Sequence, residues 1–98
     1  MRFLVVRHGC RACLEYERIL PKINMKLPIS MQIRWVDNTE YELYGIMVHK
    51  IQEKLNDKDF TDYPLLFLDG HLHEGGQCAS VLKTFMKEYL KDDTSIEI

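Results

Sequence analysis

The chain has 98 residues, a formal net charge of −2 and a hydrophobic fraction of 46%, a composition that fits one globular domain over residues 1–98 and argues against disorder. The small net charge leaves no large basic field for nucleic acid, and no apolar run approaches the roughly 20 residues that span a bilayer. Three cysteines are too few for a disulfide-stapled secreted mini-protein.

The first apolar run predicts a buried strand from Arg2 to Val6. It is too short for a signal peptide and is followed at once by Arg7 and His8, so we place the protein in the cytoplasm. A helix is predicted from Arg11 to about Ile19, and Pro21 kinks or ends it. The apolar members of this helix are Leu14, Tyr16, Ile19 and Leu20.

A second strand is predicted from Met31 to Asp37, with Trp35 in the core. The cap-type residues Asp37, Asn38 and Thr39 then predict the start of a second helix, which ends at Asn56 and Asp57. Apolar residues at spacings of three and four form one stripe along this helix: Tyr44, Met47, Val48, Ile51 and Leu55.

Pro64 opens a third apolar run, Leu65 to Leu68, because the first residue of a strand tolerates proline. Asp69-Gly70 is a hairpin signal that predicts a fourth strand from His71 to His73. After Gly75-Gly76 a final helix is predicted from about Gln77 to Leu90, and residues 92–98 form a possible tail whose isoleucines could dock. Its predicted inward side chains are Val81, Leu82, Phe85, Met86, Tyr89 and Leu90.

The predicted order is therefore β-α-β-α-β-β-α. A right-handed crossover makes the first two strands parallel, and the Asp69-Gly70 turn makes the last two antiparallel. The expected fold is α/β, with a four-stranded mixed sheet flanked by three main helices.

Cys10-Arg11-Ala12-Cys13 lies between the first strand and the first helix and is the most informative motif in the chain. Two thiols separated by two residues at a helix N-terminus can form and break a disulfide, and a helix end lowers the pKa of a thiol placed there. With Arg7, Arg11 and protonated His8 nearby, we expect Cys10 to be a thiolate. Cys13, one turn later and more buried, is expected to stay a thiol.

This order of elements, with Cys10-x-x-Cys13, Pro64 before the third strand and Gly75-Gly76 before the last helix, resembles the glutaredoxins of the thioredoxin-like superfamily over nearly the whole chain. The resemblance implies a thioredoxin-like (glutaredoxin) fold, with Cys10 as nucleophile and Cys13 as resolving cysteine. It also implies a cis Tyr63-Pro64 bond. The candidate substrate-binding residues are Arg7, Arg11, Gln52, Tyr63, Pro64, Gly75, Gly76 and Gln77.

The resemblance implies that the protein is a disulfide oxidoreductase, which reduces protein or glutathione mixed disulfides. Glutathione is the expected co-substrate, and a glutathione or thioredoxin reductase system is the expected partner. The protein is expected to be a monomer without a tightly bound cofactor or metal. The chain departs from the family pattern at Arg11-Ala12, between the cysteines, and at Asp62, where a threonine is usual. The electron donor stays open.

Three alternatives also stay open. The domain could be a non-catalytic binding module that docks partners or a metal through Cys10 and Cys13. Zinc could be held by these cysteines with His71 and His73, or a cluster could bridge two protomers through Cys10. Cys78 is expected either at the rim of the site, as a second acceptor, or half-buried at the start of a helix.

Overall fold

The structure, a computed structural model, describes residues 1–89. The predictions for Leu90 and for the possible tail at 92–98 fall outside these residues. The described chain contains four strands and three α-helices, which in chain order are β1 (Arg2–Val6), α1 (Arg11–Met25), β2 (Arg34–Asp37), α2 (His49–Asn56), β3 (Leu65–Leu68), β4 (His71–Glu74) and α3 (Gln77–Tyr89).

The strands form one sheet in the order β2-β1-β3-β4. β1 pairs parallel with β2, whereas β3 is antiparallel to both β1 and β4. This confirms the predicted mixed four-stranded sheet with three helices. The register places the ends of β1, β2 and β4 and the start of β3 at one edge of the sheet. The Cys10 segment follows β1 and therefore begins at that edge.

The core lies on both faces of the two central strands. All four residues of β3 are buried, as are four of the five residues of β1. One stripe from each helix completes the core, and burial of a large apolar side chain stabilises the fold by about 1.5–3 kcal/mol. The buried helical residues are Cys13, Tyr16, Ile19, Leu20, Ile23, Ile51, Cys78, Leu82 and Phe85.

Helix α1 continues through Pro21 to Met25, so the predicted end near Ile19 is wrong. Proline removes one backbone hydrogen bond, but the turn beyond it is held by burial of Ile23. Asn24 also exchanges two hydrogen bonds with the backbone of Ile33, of 2.8 and 2.9 Å. Of the four apolar residues named for this helix, Leu14 is 62% exposed.

The predicted second helix is two shorter elements. A 3-10 helix spans Tyr41–Tyr44, Gly45 then takes a left-handed φ of 69°, and α2 begins only at His49. Of the predicted stripe, Ile51 is fully buried, whereas Met47 is 88% exposed. The glycine interrupts the helical path because positive φ is incompatible with a right-handed helix.

The tight turn between β3 and β4 is confirmed, with Asp69 and Gly70 at φ values of 47° and 96°. β2 is shorter than predicted because Ile29–Met31 forms a second 3-10 helix, and β4 extends one residue further, to Glu74. Neither 3-10 helix belongs to the predicted order. No helix within residues 1–89 combines the length and the apolar character needed to cross a bilayer.

Candidate active site

Cys10 is the N-cap residue of α1. The turn that leads to it is tight, because the Cys10 N–H donates to the Arg7 carbonyl (3.2 Å) and Gly9 supplies a φ of 80°. The Cys10 Sγ accepts a hydrogen bond from the Cys13 N–H at 3.3 Å, and its side chain is half-buried. The sulfur therefore faces the free N–H groups of the first helical turn, where negative charge is stabilised.

Cys13 lies one turn further along α1 and is only 4% exposed. Burial raises the pKa of the Cys13 thiol to about 12, and the hydrogen bond and negative charge of Cys10 act in the same direction. All three cysteines of the chain are free thiols. The Cys10 sulfur is thus accessible and the Cys13 sulfur is protected, as the sequence predicted for Cys13.

Tyr63 and Pro64 stand opposite the cysteine pair. Their peptide bond is cis, as predicted, and both residues are buried. The Tyr63 carbonyl oxygen lies 4.0 Å from the Cys10 Sγ, which places the start of β3 against the accessible thiol. The Tyr63 N–H donates to the Thr61 carbonyl at 2.9 Å, so this backbone donor is already engaged.

Arg7 covers the aromatic ring of Tyr63. The guanidinium carbon lies 5.3 Å from the ring centroid, a cation–π arrangement that holds positive charge beside the site. The Tyr63 hydroxyl accepts a hydrogen bond from the Asn38 amide at 3.4 Å. Arg11 is the exposed first residue of α1 and adds a second cation at the start of this helix.

The Gly75-Gly76 turn borders the site on the side of β4. Gly75 has a φ of 53°, and its N–H donates to the Pro64 carbonyl at 2.9 Å. A Cβ at Gly75 would collide with the carboxylate of Asp62, whereas a Cβ at Gly76 would meet no atom within 4 Å. Only the first glycine is therefore required by the packing. Gln77 follows as the exposed first residue of α3.

Gln52 is a candidate that the described contacts do not connect with the cysteine pair. Its side-chain amide donates to Asn56, on the same face of α2, at 3.0 Å. Among residues 1–89, no hydrogen bond or ion pair joins Gln52 to the cysteine pair or to the Tyr63-Pro64 segment.

Cys78 is neither at the rim nor half-buried, which corrects both predictions. Its side chain is completely buried, and the thiol points at the carbonyls of Pro64 (3.4 Å) and His73 (3.6 Å). Burial raises the pKa of Cys78 to about 11. Helix α3 turns this residue into the core because its apolar stripe includes Leu82 and Phe85, one and two turns further on.

A groove of about 280 Å³ opens beside the cysteine pair on the side of β2. It is lined by both sulfur-bearing residues, by the segment after β1, by α1 and by β2: Val6, Arg7, His8, Gly9, Cys10, Cys13, Leu14, Glu17, Trp35 and Asp37. Trp35 is partly buried and packs against the core from this groove, whereas the sequence predicted a place within the core. Leu14, which is exposed, and Trp35, which is partly buried, give this groove an apolar component.

The possible zinc site is not assembled in the described part of the chain. Within residues 1–89, no group of three or more His, Cys, Asp or Glu side chains is placed to hold a metal ion. His71 and His73 lie on β4, where His71 is exposed and His73 is half-buried.

Sequence reasoning missed Asn38 as a site residue. It directly follows β2, its N–H donates to the Val6 carbonyl at 2.8 Å, and its side chain reaches Tyr63. The signal was available, since a polar residue immediately after a strand parallel to β1 lies at the same sheet edge as the cysteine motif. The Asn38 Oδ1 is buried and has no hydrogen-bond partner within residues 1–89.

Comparisons of this chain with protein-family models, with curated proteins and with solved structures found no match.

Proposed function

We propose that this chain is a glutaredoxin-like thiol–disulfide oxidoreductase with a thioredoxin-like fold, which uses Cys10 and Cys13 to reduce protein or glutathione mixed disulfides. One observation carries the proposal: a half-buried thiol caps a helix and lies one turn from a buried cysteine whose N–H donates to it. This is the arrangement that thiol–disulfide exchange needs, since one sulfur must be reached by the substrate and the other must be protected from it.

In the first step, the Cys10 thiolate attacks one sulfur of the substrate disulfide. A new S–S bond forms between Cys10 and that sulfur, the substrate S–S bond breaks, and the other substrate sulfur leaves as a thiolate that takes a proton from water. The N–H groups of the first turn of α1, together with the positive charge of Arg7, stabilise the attacking anion.

In the second step, Cys13 attacks the Cys10 sulfur. Once Cys10 is held in a mixed disulfide it carries no negative charge, so its charge no longer raises the pKa of Cys13, whereas burial still does. Ionisation of Cys13 therefore becomes easier when it is needed. Its thiolate forms the Cys10–Cys13 disulfide and releases the captured thiol, so two electrons pass from the dithiol to the substrate.

The dithiol is then restored by an external thiol donor. Glutathione as co-substrate and a thioredoxin-reductase-type enzyme are the two donor classes that the proposal allows, for a monomer that acts in the cytoplasm without a tightly bound cofactor. We propose turnover assays on one disulfide substrate with each donor in parallel. Cys10→Ser should abolish turnover with both donors, and Cys78→Ala, which changes a thiol outside the pair, should retain it. Equal turnover by wild type and Cys10→Ser would refute the proposal.

A second candidate is a binding module that captures partners without turnover. The engaged Tyr63 N–H favours it, because a substrate backbone that pairs with Tyr63 must first compete with Thr61. The same assays separate the two candidates. A protein that forms an adduct on Cys10 and shows no turnover with either donor is a binding module, whereas turnover with either donor identifies the oxidoreductase.

A further inference from the structure

Asp62 places an unpaired carboxylate beside the candidate active site. The side chain lies against Gly75, in the space that a Cβ of any other residue would need there. Asp62 is exposed, and within residues 1–89 no side chain forms a hydrogen bond or an ion pair with it. The negative charge is therefore available to a bound molecule.

The position of Asp62 relative to Cys10 follows from the backbone. Asp62 directly precedes Tyr63, whose carbonyl oxygen lies 4.0 Å from the Cys10 Sγ. Gly75, which the carboxylate contacts, is hydrogen-bonded through its N–H to the Pro64 carbonyl at 2.9 Å. Asp62 and Gly75 thus lie beside the Tyr63-Pro64 segment that faces Cys10, on the side of β4.

The opposite side of the site carries the opposite charge. Arg7 stacks on the Tyr63 ring, and that ring points toward Asn38 at the end of β2. In the sheet order β2-β1-β3-β4, the cation therefore belongs to the β2 side and the carboxylate to the β4 side. The charge of Asp62 also affects the buried Cys78 thiol, since it adds to burial in raising the pKa of Cys78.

We infer that Asp62 is a specificity-determining residue that selects polypeptide disulfides with a lysine or arginine next to the reacting cysteine. The inference rests on the proposed function and names its substrate class. A cationic side chain beside the substrate sulfur meets an unpaired carboxylate at Asp62, whereas an acidic neighbour meets like charge. Glutathione carries two carboxylates and one ammonium group, so its net charge is negative. The Asp62 carboxylate therefore disfavours glutathione as a substrate relative to a cationic peptide.

The probe is a set of mixed disulfides that share one chromophoric leaving group. Two short peptides, one with lysines and one with glutamates flanking its cysteine, and glutathione are each joined to thionitrobenzoate. Attack by the Cys10 thiolate on the peptide sulfur forms one S–S bond, breaks one and releases the coloured thiolate, whose absorbance gives the rate. We expect the lysine peptide to react about three- to tenfold faster than the glutamate peptide, with glutathione near the latter.

Asp62→Asn should reduce that preference by about three- to tenfold, and added salt should reduce it in the wild type because an exposed charge is screened. Asp59→Asn removes the same charge from an exposed residue in the preceding loop and should leave the preference intact. An unchanged preference in Asp62→Asn, with rates still above those of Cys10→Ser, overturns the inference alone. Rates no higher than those of Cys10→Ser for all three probes overturn the proposed function instead.

Discussion

The backbone N–H of Cys13 donates a hydrogen bond to the Cys10 Sγ over 3.3 Å, while the Cys13 thiol itself is buried beneath the first turn of α1. The second cysteine thus holds the sulfur of the first through its backbone, while its own thiol is shielded from solvent. This unequal relationship assigns an order to the chemistry: Cys10 reacts with external disulfides, and Cys13 reacts with Cys10.

The three thiols should differ sharply in their reaction with iodoacetamide at pH 7. Cys10 should be labelled at least about tenfold faster than the others, because alkylation requires an exposed thiolate. Burial raises the pKa of Cys13 to about 12 and that of Cys78 to about 11. Peptide mass spectrometry at successive times measures each rate. Labelling in urea, which removes burial, is the control, and native labelling that is equally fast at Cys78 would contradict the account.

Trp35 should report the redox state of the cysteine pair. It is the only tryptophan in the chain, and it lines the groove beside Cys10 and Cys13. Oxidation of the pair changes the groups around the indole, so its fluorescence should change with the same time course as disulfide formation followed by mass spectrometry. Cys13→Ser, treated with the same oxidant, should lack this phase. A disulfide that forms without any change in emission would argue against this placement of Trp35.

Gly75 and Gly76 should respond differently to alanine. Gly75→Ala should lower the free energy of unfolding by about 1–3 kcal/mol, because its φ of 53° is unfavourable for alanine and the new Cβ meets the Asp62 carboxylate. Gly76→Ala is the matched control and should change stability by less than about 0.5 kcal/mol. Urea unfolding measures both.

The double variant Asp62→Ala/Gly75→Ala separates the two causes. It should recover the steric part of the loss and retain the part due to backbone conformation. Equal effects of the two single glycine substitutions would contradict the close approach of Asp62 to Gly75.

Asp37 should contribute stability that disappears in acid. Its carboxylate accepts hydrogen bonds from the Thr39 hydroxyl (2.6 Å) and N–H (2.8 Å), and these bonds lower its pKa, with protonated His8 adding a smaller effect. A lowered pKa in the folded state stabilises the protein above about pH 4, the usual value of an unfolded aspartate, and this contribution is lost as the pH falls further.

The variant Asp37→Asn should therefore be less stable than the wild type by about 1 kcal/mol at pH 7, and this difference should shrink below about pH 4. Urea unfolding at pH 7 and pH 3 measures it. Asp59→Asn, at an exposed aspartate, serves as control. A stability difference between wild type and Asp37→Asn that grows in acid would contradict the expected direction of this pH dependence.

The strands and the site motif were predictable because their signals are local. The apolar run at β3, the Asp69-Gly70 turn and the Cys10-x-x-Cys13 motif each depend on a few consecutive residues. The interruption at Gly45 was not predicted, because the apolar spacing continues across it as if the helix were unbroken. The apolar spacing indicates which residues can share one face of a helix. It does not indicate where the backbone leaves the right-handed helical conformation.

The errors in α1 and at Cys78 have a tertiary cause. Pro21 remains inside the helix because Ile23 is buried in the core and Asn24 is hydrogen-bonded to the backbone of Ile33, beyond the end of the helix. The depth of Cys78 depends on how α3 packs against the chain near Pro64, and the contact of Asp62 with Gly75 depends on where β3 and β4 begin and end. Each of these relationships joins separate elements of the fold, so the residue types in one short stretch of sequence do not indicate it.

The central claim is that Cys10 captures substrate sulfur and Cys13 resolves the adduct. The most direct test treats reduced wild type and Cys13→Ser with a peptide disulfide and locates every new S–S bond by mass spectrometry. The account predicts that Cys13→Ser accumulates one mixed disulfide on Cys10, whereas wild type ends with a Cys10–Cys13 disulfide and free peptide thiol. An adduct on Cys78, or a Cys10 adduct that persists in wild type, would contradict it.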